Sequence, residues 1–423
     1  MSYKVYEEYN DSNVDWIGAL PDNWTIKKLK FLSQNFDNKR IPISAGEREE
    51  GEYPYYGATG IVDYVNDFIF NEDLLLVGED GAPFFDITKD VAFLISGKTW
   101  VNNHAHVLKI NENIILDKLV KHSLNCTDYS LYIKGSTRDK LNQEQLKDIP
   151  IIIPPKNEQK QIANYLDNKT TKIDETIAKN QQLIELLEEK RTALINQVVT
   201  KGLNPDVHMK DSGVEWIGEI PEHWKIMKMK YLGTARNGLT YKPEDISDEG
   251  TLVLRSSNIQ NGKLSFDDNV YINSNVDSRF LVKENDLLIC SRNGSKQLIG
   301  KSALITPEVS GNTFGAFMML FKSKYNKFIQ YTFKSKIFAY YIDSFLTSTI
   351  NQLTLQNFNN MAIPITLDLD EQMQISNYLN KHVNTINKSI EKINENINLL
   401  EEYKTSLIHH VVTGKIDVRG EEI

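Results

Sequence analysis

The sequence predicts an α+β fold in which two α/β domains are separated by two long antiparallel helices that form a coiled-coil spacer, with a pseudo-twofold internal repeat. A leading motif occurs twice, and a long segment with heptad periodicity also occurs twice. The stretches between these repeats contain short β-rich runs separated by turns. The length of 423 residues agrees with this organisation, because single domains usually span about 100 to 200 residues.

The leading motif opens each half of the chain. It runs from Asp11 to Trp24 and returns from Asp211 to Trp224, at an offset of 200 residues. Both copies place Asp, Ser, Val, Trp, Ile, Gly, Pro and Trp at matching positions, which indicates an internal duplication. The bodies that follow show little direct similarity to each other. A duplicated frame around two different bodies favours one task performed on two different targets, and plain duplication of a fold for stability is the alternative.

The two bodies are predicted to be α+β. Aliphatic and β-branched runs bounded by turn residues indicate strands at Leu74–Val77, Val91–Ile95, Val253–Leu254, Leu287–Cys290 and Ser302–Ile305. Each body ends in an exit segment that contains proline, at 149–153 in the first half and 361–365 in the second. We expect these segments to be extended, because proline and the residue before it resist helix formation.

A long helix is predicted after each exit segment. The two copies begin near Glu158 and Glu371 and are related by an offset of 213 residues. Their apolar residues follow steps of three, four and seven, which is the seam of a coiled coil. The seam residues are Ile173, Ile177, Ile184, Leu187, Leu194 and Val198 in the first helix and Ile386, Ile390, Ile393, Ile397, Leu400, Leu407 and Val411 in the second. Asn180, Arg191 and Lys404 interrupt the seam, and such residues fix register and orientation.

Two seams of equal register in one chain are expected to pair with each other. The first helix would be about 60 Å long at about 1.5 Å per residue, which predicts a spacer and not a loop. The sequence therefore divides into domains at 1–150, 151–205, 206–362 and 363–423.

The charge of the chain is unevenly distributed. The formal net charge is −9, which is unusual for a protein that neutralises phosphates. However, residues 225–362 carry 17 basic and 11 acidic side chains, whereas residues 25–148 carry 15 and 19. Only Cys126 and Cys290 occur, one in each half, which excludes a cysteine-based zinc module. The sequence shows no signal peptide or apolar run of membrane-spanning length, so we expect a cytoplasmic protein with no membrane partner.

Motifs that would support catalysis are incomplete. The segment from Gly294 to Ser302 imitates a phosphate-binding loop, but five residues separate its glycines where four are needed. His104 and His106 alternate as on a strand, yet no third metal ligand is evident, so a loop histidine is favoured over a metal site. A Gly-rich methyltransferase motif and an Asn/Asp-Pro-Pro-aromatic tetrad are absent. We therefore expect no catalytic residue, no metal and no cofactor in this chain.

Taken together, these features resemble the specificity subunits of type I restriction-modification systems along nearly the whole chain. In the frame, the resemblance lies in Trp16-Ile17-Gly18 with Pro21 and Trp24, in Trp216-Ile217-Gly218 with Pro221 and Trp224, and in the junctions Pro154–Ile162 and Asp370–Ile375. In the bodies, it lies in Tyr55–Gly60, Glu79–Gly81, Leu254–Ile259, Asp286–Leu288 and Gly300-Lys301. The second junction departs from the family pattern, because no proline pair precedes its Glu-Gln.

The resemblance implies a non-catalytic subunit whose two target recognition domains each read one half of a bipartite DNA target. It implies double-stranded DNA and two methyltransferase (modification) subunits as partners, with restriction subunits in systems that also cleave. Those partners would use S-adenosylmethionine and, for restriction, ATP and Mg. A non-enzymatic coiled-coil scaffold that binds protein partners is the alternative. The scaffold would explain the net charge and the helices, but not two dissimilar bodies in one repeated frame.

Candidate DNA-contacting residues are those whose side chains suit base edges or phosphates, with Arg and Lys for guanine and Asn and Gln for adenine. In the first body they are Asn103, His104, Lys134, Ser136, Thr137, Arg138 and Lys140. In the second body they are Arg255, Ser256, Asn258, Arg292, Asn293, Lys296, Asn351 and Gln352. For each residue, the alternative is an ordinary surface position without a DNA contact. The prediction therefore applies to the loops more than to the individual side chains.

Overall fold

The computed structural model describes residues 3–134, 139–345 and 351–421. The chain divides into two compact units, the first made of Met1–Gln181 and Ile393–Ile423 and the second of Gln182–Lys392. Each long helix is divided between the two units, whereas the sequence assigned each helix to a separate spacer segment.

Within the described residues, the first unit contains two four-stranded sheets, two two-stranded sheets, two short α-helices and parts of both long helices. Its strands are β1 (Tyr9–Asp11), β2 (Ala19–Pro21), β3 (Thr25–Lys28), β4 (Ser33–Asn35), β5 (Glu50–Gly57), β6 (Gly60–Val65), β7 (Phe70–Asn71), β8 (Leu74–Gly78), β9 (Ala92–Ile95), β10 (Lys98–Val101), β11 (Ala105–Ile110) and β12 (Pro150–Ile153). Its helices are α1 (Asp117–Asn125), α2 (Gln143–Lys147), the first part of α3 (Lys156–Lys201) and the last part of the C-terminal helix Leu369–Val412. The central sheet has the order β4-β11-β8-β9, and another sheet has the order β6-β5-β10-β7.

The second unit repeats this plan. Its strands are β13 (Met209–Asp211), β14 (Glu219–Pro221), β15 (Lys225–Lys228), β16 (Thr234–Asn237), β17 (Ile246–Ser247), β18 (Thr251–Leu254), β19 (Ile259–Gln260), β20 (Lys263–Leu264), β21 (Tyr271–Ile272), β22 (Leu287–Cys290), β23 (Ser302–Leu304), β24 (Thr313–Phe314), β25 (Met318–Lys322) and β26 (Ala362–Ile365). Its helices are α4 (Asn326–Thr332), α5 (Lys336–Phe345), α6 (Leu355–Asn360) and the first part of α7 (Leu369–Val412). The central sheet has the order β16-β25-β22-β23, and another has the order β17-β21-β18-β24.

The two central sheets are therefore topologically equivalent, although the sequences of the bodies differ. Their middle strands β8 and β22 are buried along their whole length. In β22, Leu287 and Ile289 pack into one core and Leu288 and Cys290 into another, because alternate residues of a strand point to opposite faces. A strand covered on both faces needs a continuous apolar run, which explains the predicted strands at these positions.

In each body, one pair of strands and one glutamate carboxylate hold the beginning and the end of the body together. β3 pairs antiparallel with β12, and β15 pairs with β26, so each leading motif is joined to its exit segment. The Trp24 indole N–H donates to Glu158 Oε2 at 3.1 Å, and the Trp224 N–H donates to Glu371 Oε1 at 3.0 Å. The neighbouring glutamine, Gln159 or Gln372, donates to a backbone carbonyl just before its helix. We call this repeated arrangement of strand pair, tryptophan and glutamate the structural lock of each body.

In the first unit both ends of the chain contribute to this lock. The Tyr6 hydroxyl donates to Glu158 Oε2 at 2.9 Å, and Arg419 forms an ion pair with Asp417 at 2.9 Å. The Asp417 amide donates to the Lys4 carbonyl at 2.8 Å. The C-terminal segment therefore packs directly on the N-terminal segment.

The long helices pair antiparallel within each unit. In the first unit Lys404 Nζ lies 2.7 Å from Asp174 Oδ1, and in the second unit Arg191 donates to Asn387 Oδ1 at 2.8 Å. Every predicted seam residue is buried or half-buried, and the half-buried Asn180 amide nitrogen has no hydrogen-bond partner. The α+β fold class with paired helices and an internal repeat is confirmed. Across the described residues no helix has the length and apolarity required to span a membrane.

Candidate nucleic-acid interface

Three segments meet at the same end of the central sheet in both bodies. In the first body the Glu79 amide donates to the His104 carbonyl, and the Leu141 amide donates to the Glu79 carbonyl, both at 2.8 Å. In the second body the Ser291 amide donates to the Phe317 carbonyl at 3.0 Å, and the Leu353 amide to the Ser291 carbonyl at 2.8 Å. We call residues 79–81, 102–104 and 139–141 the first loop cluster, and residues 291–294, 315–317 and 351–353 the second loop cluster.

The equivalence extends to single residues. Asp80 forms an antiparallel backbone bridge with Lys140 in the first loop cluster, and Arg292 forms one with Gln352 in the second. The backbone thus holds different side chains at matching places, with Asp80 and His104 in one body where the other has Arg292 and Phe317.

The first loop cluster rests on a network of charges in which His106 is buried and Asp37, Arg40 and Glu79 are half-buried. Arg40 contacts Glu79 at 2.6 Å and lies 3.5 Å from Asp37, while Lys140 lies 3.0 Å from Glu79. His106 Nδ1 lies 2.6 Å from Asp37 Oδ2, and its Nε2 donates to the Leu141 carbonyl at 2.8 Å. The network ties strand β11 to the loop that follows β8.

Burial acts to raise the pKa of Asp37, but the hydrogen bond and charge of His106 outweigh it and hold that pKa below its usual value. Burial acts in the same direction on Glu79, and the hydrogen bonds from Arg40 and Lys140 outweigh it, so the pKa of Glu79 is also lowered. Both carboxylates are therefore stabilised in their ionised form.

The same network contains the set of side chains nearest to a metal site. Ligand atoms of Asp37, Glu79 and His106 lie within 4.8 Å of one another, so His106 has the carboxylate neighbours that the sequence did not reveal. Arg40 and Lys140 already neutralise both carboxylates, however, and a divalent cation would have to displace them. We interpret the network as structural and assign no metal to it.

Among the residues that the structure describes, the second loop cluster presents polar side chains without a comparable network of charges. The Asn293 side chain donates to Ser256 Oγ at 3.4 Å, and the Asn351 side chain donates to the Gly294 carbonyl at 3.0 Å. The Arg292 guanidinium carbon lies 5.2 Å from the centroid of the exposed Phe317 ring. Arg292, Asn293, Asn351 and Gln352 are therefore brought together on one surface.

The remaining candidates fall into three groups. Asn103, His104 and Lys140 lie in the first loop cluster, and Lys134 is exposed nearby in sequence. Arg255 and Lys296 are held in ion pairs with Asp268 and Asp343 at 2.8 and 3.0 Å. Ser136, Thr137 and Arg138 lie outside the described residues.

Asn258 requires a correction. Its side chain is fully buried, and its amide donates to the carbonyls of Ser265 and Asp268, while its oxygen accepts from the Arg255 amide. A side chain used in this way shapes the loop and cannot reach a base edge. Burial of a short polar turn residue is a tertiary property that the local sequence does not reveal.

Sequence reasoning missed Phe317 and the carboxylates beneath the first loop cluster. Phe317 was hidden because it lies in an apolar run, Phe314 to Phe321, that otherwise forms β24 and β25. One usable signal was the repeat of Ser136-Thr137 with Leu141 and Ser348-Thr349 with Leu353, which marks equivalent segments of the two bodies. The glycine spacing that imitates a phosphate loop also has a packing cause, since Gly300 has a φ of +84° and a Cβ there would overlap Phe338.

A second kind of surface lies along the long helices. In the second unit a groove of about 400 Å³ is lined by Lys190, Ala193, Leu194, Gln197, Tyr378, His382, Thr385 and Ile386. In the first unit a groove of about 300 Å³ is lined by Tyr3, Tyr403, Ser406, Leu407, His410, Lys415 and Ile416. The residues from Lys190 to Gln197 and those from Tyr403 to His410 correspond at the repeat offset of 213, so the grooves use the same helix face.

Comparisons with known proteins agree with the sequence resemblance. The family model described as "Type I restriction modification DNA specificity domain" matches residues 21–189 and 221–399. The MjaVIII specificity subunit of Methanocaldococcus jannaschii is 24% identical, over 99% of this chain and 98% of its own length. The EcoKI specificity subunit of Escherichia coli is 28% identical over 47% of this chain and 44% of its own length. A solved chain from a study of the type I R-M system shares the fold, with a TM-score of 0.69 over 93% of this chain and 98% of that chain at 12% identity.

Proposed function

Because this chain belongs to the type I restriction modification DNA specificity family, we propose that each body reads one half of a bipartite double-stranded DNA target and that the paired helices fix the gap between the halves. Specificity subunits of this family are non-catalytic, and the enzymatic activities lie in other subunits of the complex. The observation that carries the proposal is the equivalence of the two loop clusters, which present different side chains from one backbone arrangement.

The side chains in the loop clusters suit direct reading of bases. Arginine and amide side chains match the acceptors and donors of guanine and adenine in the major groove. Arg292, Asn351 and Gln352 supply both types in the second body, whereas His104 and Asn103 supply others in the first. Two clusters of different chemistry would read two different half-sites, as a bipartite target requires.

DNA and modification subunits are the partners that membership of the family implies. For the stoichiometry, we propose two modification subunits, one on each helix groove. The grooves support this proposal, because both use the same face of the repeated helix and so offer one partner type two related surfaces. The modification subunits would supply S-adenosylmethionine, and a restriction subunit would supply ATP and Mg. Such a complex would act on cellular DNA in the cytoplasm.

The spacer role is tested by shortening both helices together. The same number of residues separates Asp174 from Arg191 and Asn387 from Lys404, so deletion of residues 181–187 and 391–397 keeps both interhelical pairs. Seven helical residues span about 10 Å, so we expect the recognised gap to shorten by about two or three base pairs. The measurement is genome-wide mapping of methylation by the assembled complex.

Both half-sites should stay the same in the shortened protein, because neither loop cluster is altered. Deletion of 181–187 alone is the matched control. It shortens only one of the two helices, so the two interhelical pairs can no longer form together, and methylation should be abolished. An unchanged gap with an altered half-site would contradict the spacer role. A complex that methylates without any bipartite preference would favour the scaffold alternative, in which the bodies bind protein and not DNA.

A further inference from the structure

We infer that Arg292 reads a guanine in the half-site bound by the second body, and that Phe317 positions its guanidinium. This inference rests on the proposed function and names one base contact within it. Arg292 follows β22 directly and lies exposed in the second loop cluster. Its backbone is held firmly, because its amide donates to the Phe317 carbonyl at 3.1 Å and it bridges to Gln352.

The guanidinium of Arg292 differs from the others in its lack of polar partners. Among the arginines in the described ranges, it alone forms no side-chain hydrogen bond or ion pair. Each of the other arginine side chains forms a hydrogen bond or an ion pair: Arg40 with Glu79, Arg48 with Asp63, Arg191 with Asn387, Arg236 with the Arg279 carbonyl, Arg255 with Asp268, Arg279 with Asp277 and Arg419 with Asp417. All five N–H donors of Arg292 are therefore available to a ligand.

Phe317 gives this free side chain a defined position. The guanidinium carbon lies 5.2 Å from the ring centroid, and the ring is 58% exposed, so it contributes little to the core. Stacking of a planar guanidinium on an aromatic face leaves its edge free and restricts its rotamers before binding. A base contact made by a positioned side chain loses less entropy than one made by a mobile side chain.

The surroundings favour a guanine edge over a phosphate. Guanine presents O6 and N7 side by side in the major groove, which matches the fork of an arginine. The side chains beside Arg292 are the amides of Asn293 and Asn351, which suit neighbouring base edges and add no positive charge. The nearest cation along the loop, Lys296, is paired with Asp343 at 3.0 Å. An unpaired arginine among amide side chains offers donors together with acceptors, which matches base edges, whereas a phosphate offers acceptors only.

The test uses the assembled complex with its modification subunits and a duplex library randomised in the second half-site. Methylation of each library member is measured by sequencing for the wild type, Arg292→Lys, Arg292→Ala, Phe317→Ala and Phe317→Tyr. Binding of the wild-type and Arg292→Ala complexes to the preferred duplex is measured across a salt series. Arg292→Lys keeps the charge but loses the fork, so preference for guanine at one position should fall about 5- to 150-fold while all other positions stay the same. Phe317→Ala should relax the same position, and Phe317→Tyr should restore it.

Arg279→Ala is the matched control. Arg279 also lies over a phenylalanine ring in the second body, with 4.9 Å to the Phe280 centroid, but it is paired with Asp277 and precedes β22. It should leave every base preference unchanged. Unchanged preferences at the other positions of the second half-site report correct folding of the second body in each variant.

Full guanine preference in Arg292→Lys would overturn the inference. So would equal weakening of all sequences in Arg292→Ala with a salt slope lower by about 0.9, since that is the signature of a phosphate contact. In both cases the wild type still reads a bipartite target, so the proposed function stands. A wild-type complex without sequence preference would instead refute the proposed function itself.

Discussion

The two bodies of this protein share one backbone plan but stabilise their loop clusters in different ways. In the first body a charged network of Asp37, Glu79, Arg40 and His106 lies beneath the loops. In the second body the equivalent region is mainly apolar, with Cys290 and Met318 buried in the same core. The comparison teaches that the position of the loops is set by the backbone hydrogen bonds of the sheet, whereas the side chains beneath and above them are free to differ.

The largest expected effect on stability distinguishes Asp37 of the first body from Asp286 of the second. Asp37→Asn removes the charge that faces His106 at 2.6 Å and Arg40 at 3.5 Å, so it should destabilise the first body by about 3 kcal/mol. Asp286→Asn in the second body should change stability by less than about 1 kcal/mol, because burial raises the pKa of Asp286 and already disfavours its charge. Hydrogen exchange of β11 and β25, followed by mass spectrometry, measures both effects.

Lowering the pH should also affect the stability of the two bodies differently. The lowered pKa values of Asp37 and Glu79 mean that their stabilising effect is present above about pH 4 and is lost as the pH falls through their folded values. Burial also lowers the pKa of His122 to about 4, so the first body loses stability as the pH falls below about 6.5. Asp286 has the opposite sign, because protonation relieves the cost of its burial. Equal loss of protection in both bodies between pH 6 and pH 3 would contradict this assignment.

An intermediate effect is expected at the two structural locks. Glu158→Ala leaves the buried donors of Trp24 and Tyr6 without an acceptor, which should cost about 2 kcal/mol. Glu371→Ala leaves one buried donor, that of Trp224, and should cost about 1 to 2 kcal/mol. Hydrogen exchange of residues 19–28 and 219–228 compares the two locks directly. A larger loss of protection in the second unit would show that the chain ends add nothing to the first lock.

The smallest effect concerns the helix pair. Asn387 in the second unit occupies the place that Asp174 occupies in the first, at the offset of 213. Asn387→Asp would convert the Arg191 hydrogen bond into an ion pair and should strengthen helix pairing by about 0.5 to 1 kcal/mol. The gain should shrink as the salt concentration rises, and Asp174→Asn should show the reverse change. A gain that does not depend on salt would indicate that packing, and not charge, is responsible.

Local patterns predicted most of the frame. The repeat, the extended exit segments and both long helices follow from residue spacing and from proline, which act over short distances in the sequence. The seam residues were found because helical periodicity alone decides which face they share. The family resemblance came from the same short motifs.

The loop clusters could be predicted only in part, because they depend on strand register. His106 contacts Asp37, which is 69 residues away in the sequence, and the local sequence around either residue does not indicate this contact. Asn258 and Arg292 each follow a strand of the second body within a few residues, yet one is fully buried and the other exposed. Which of them faces outward is decided by the packing of the whole body and not by residue type.

The discontinuity of the first unit has a consequence for synthesis on the ribosome. The second unit is one uninterrupted stretch, Gln182–Lys392, whereas the first needs Ile393–Ile423 as well as the opening residues. The half of the protein that is translated first is therefore completed last, when Lys404 reaches Asp174 and the Asp417 amide reaches the Lys4 carbonyl. A chain that stops early would leave its oldest part unfinished and exposed to proteases, so only full-length molecules would be expected to persist.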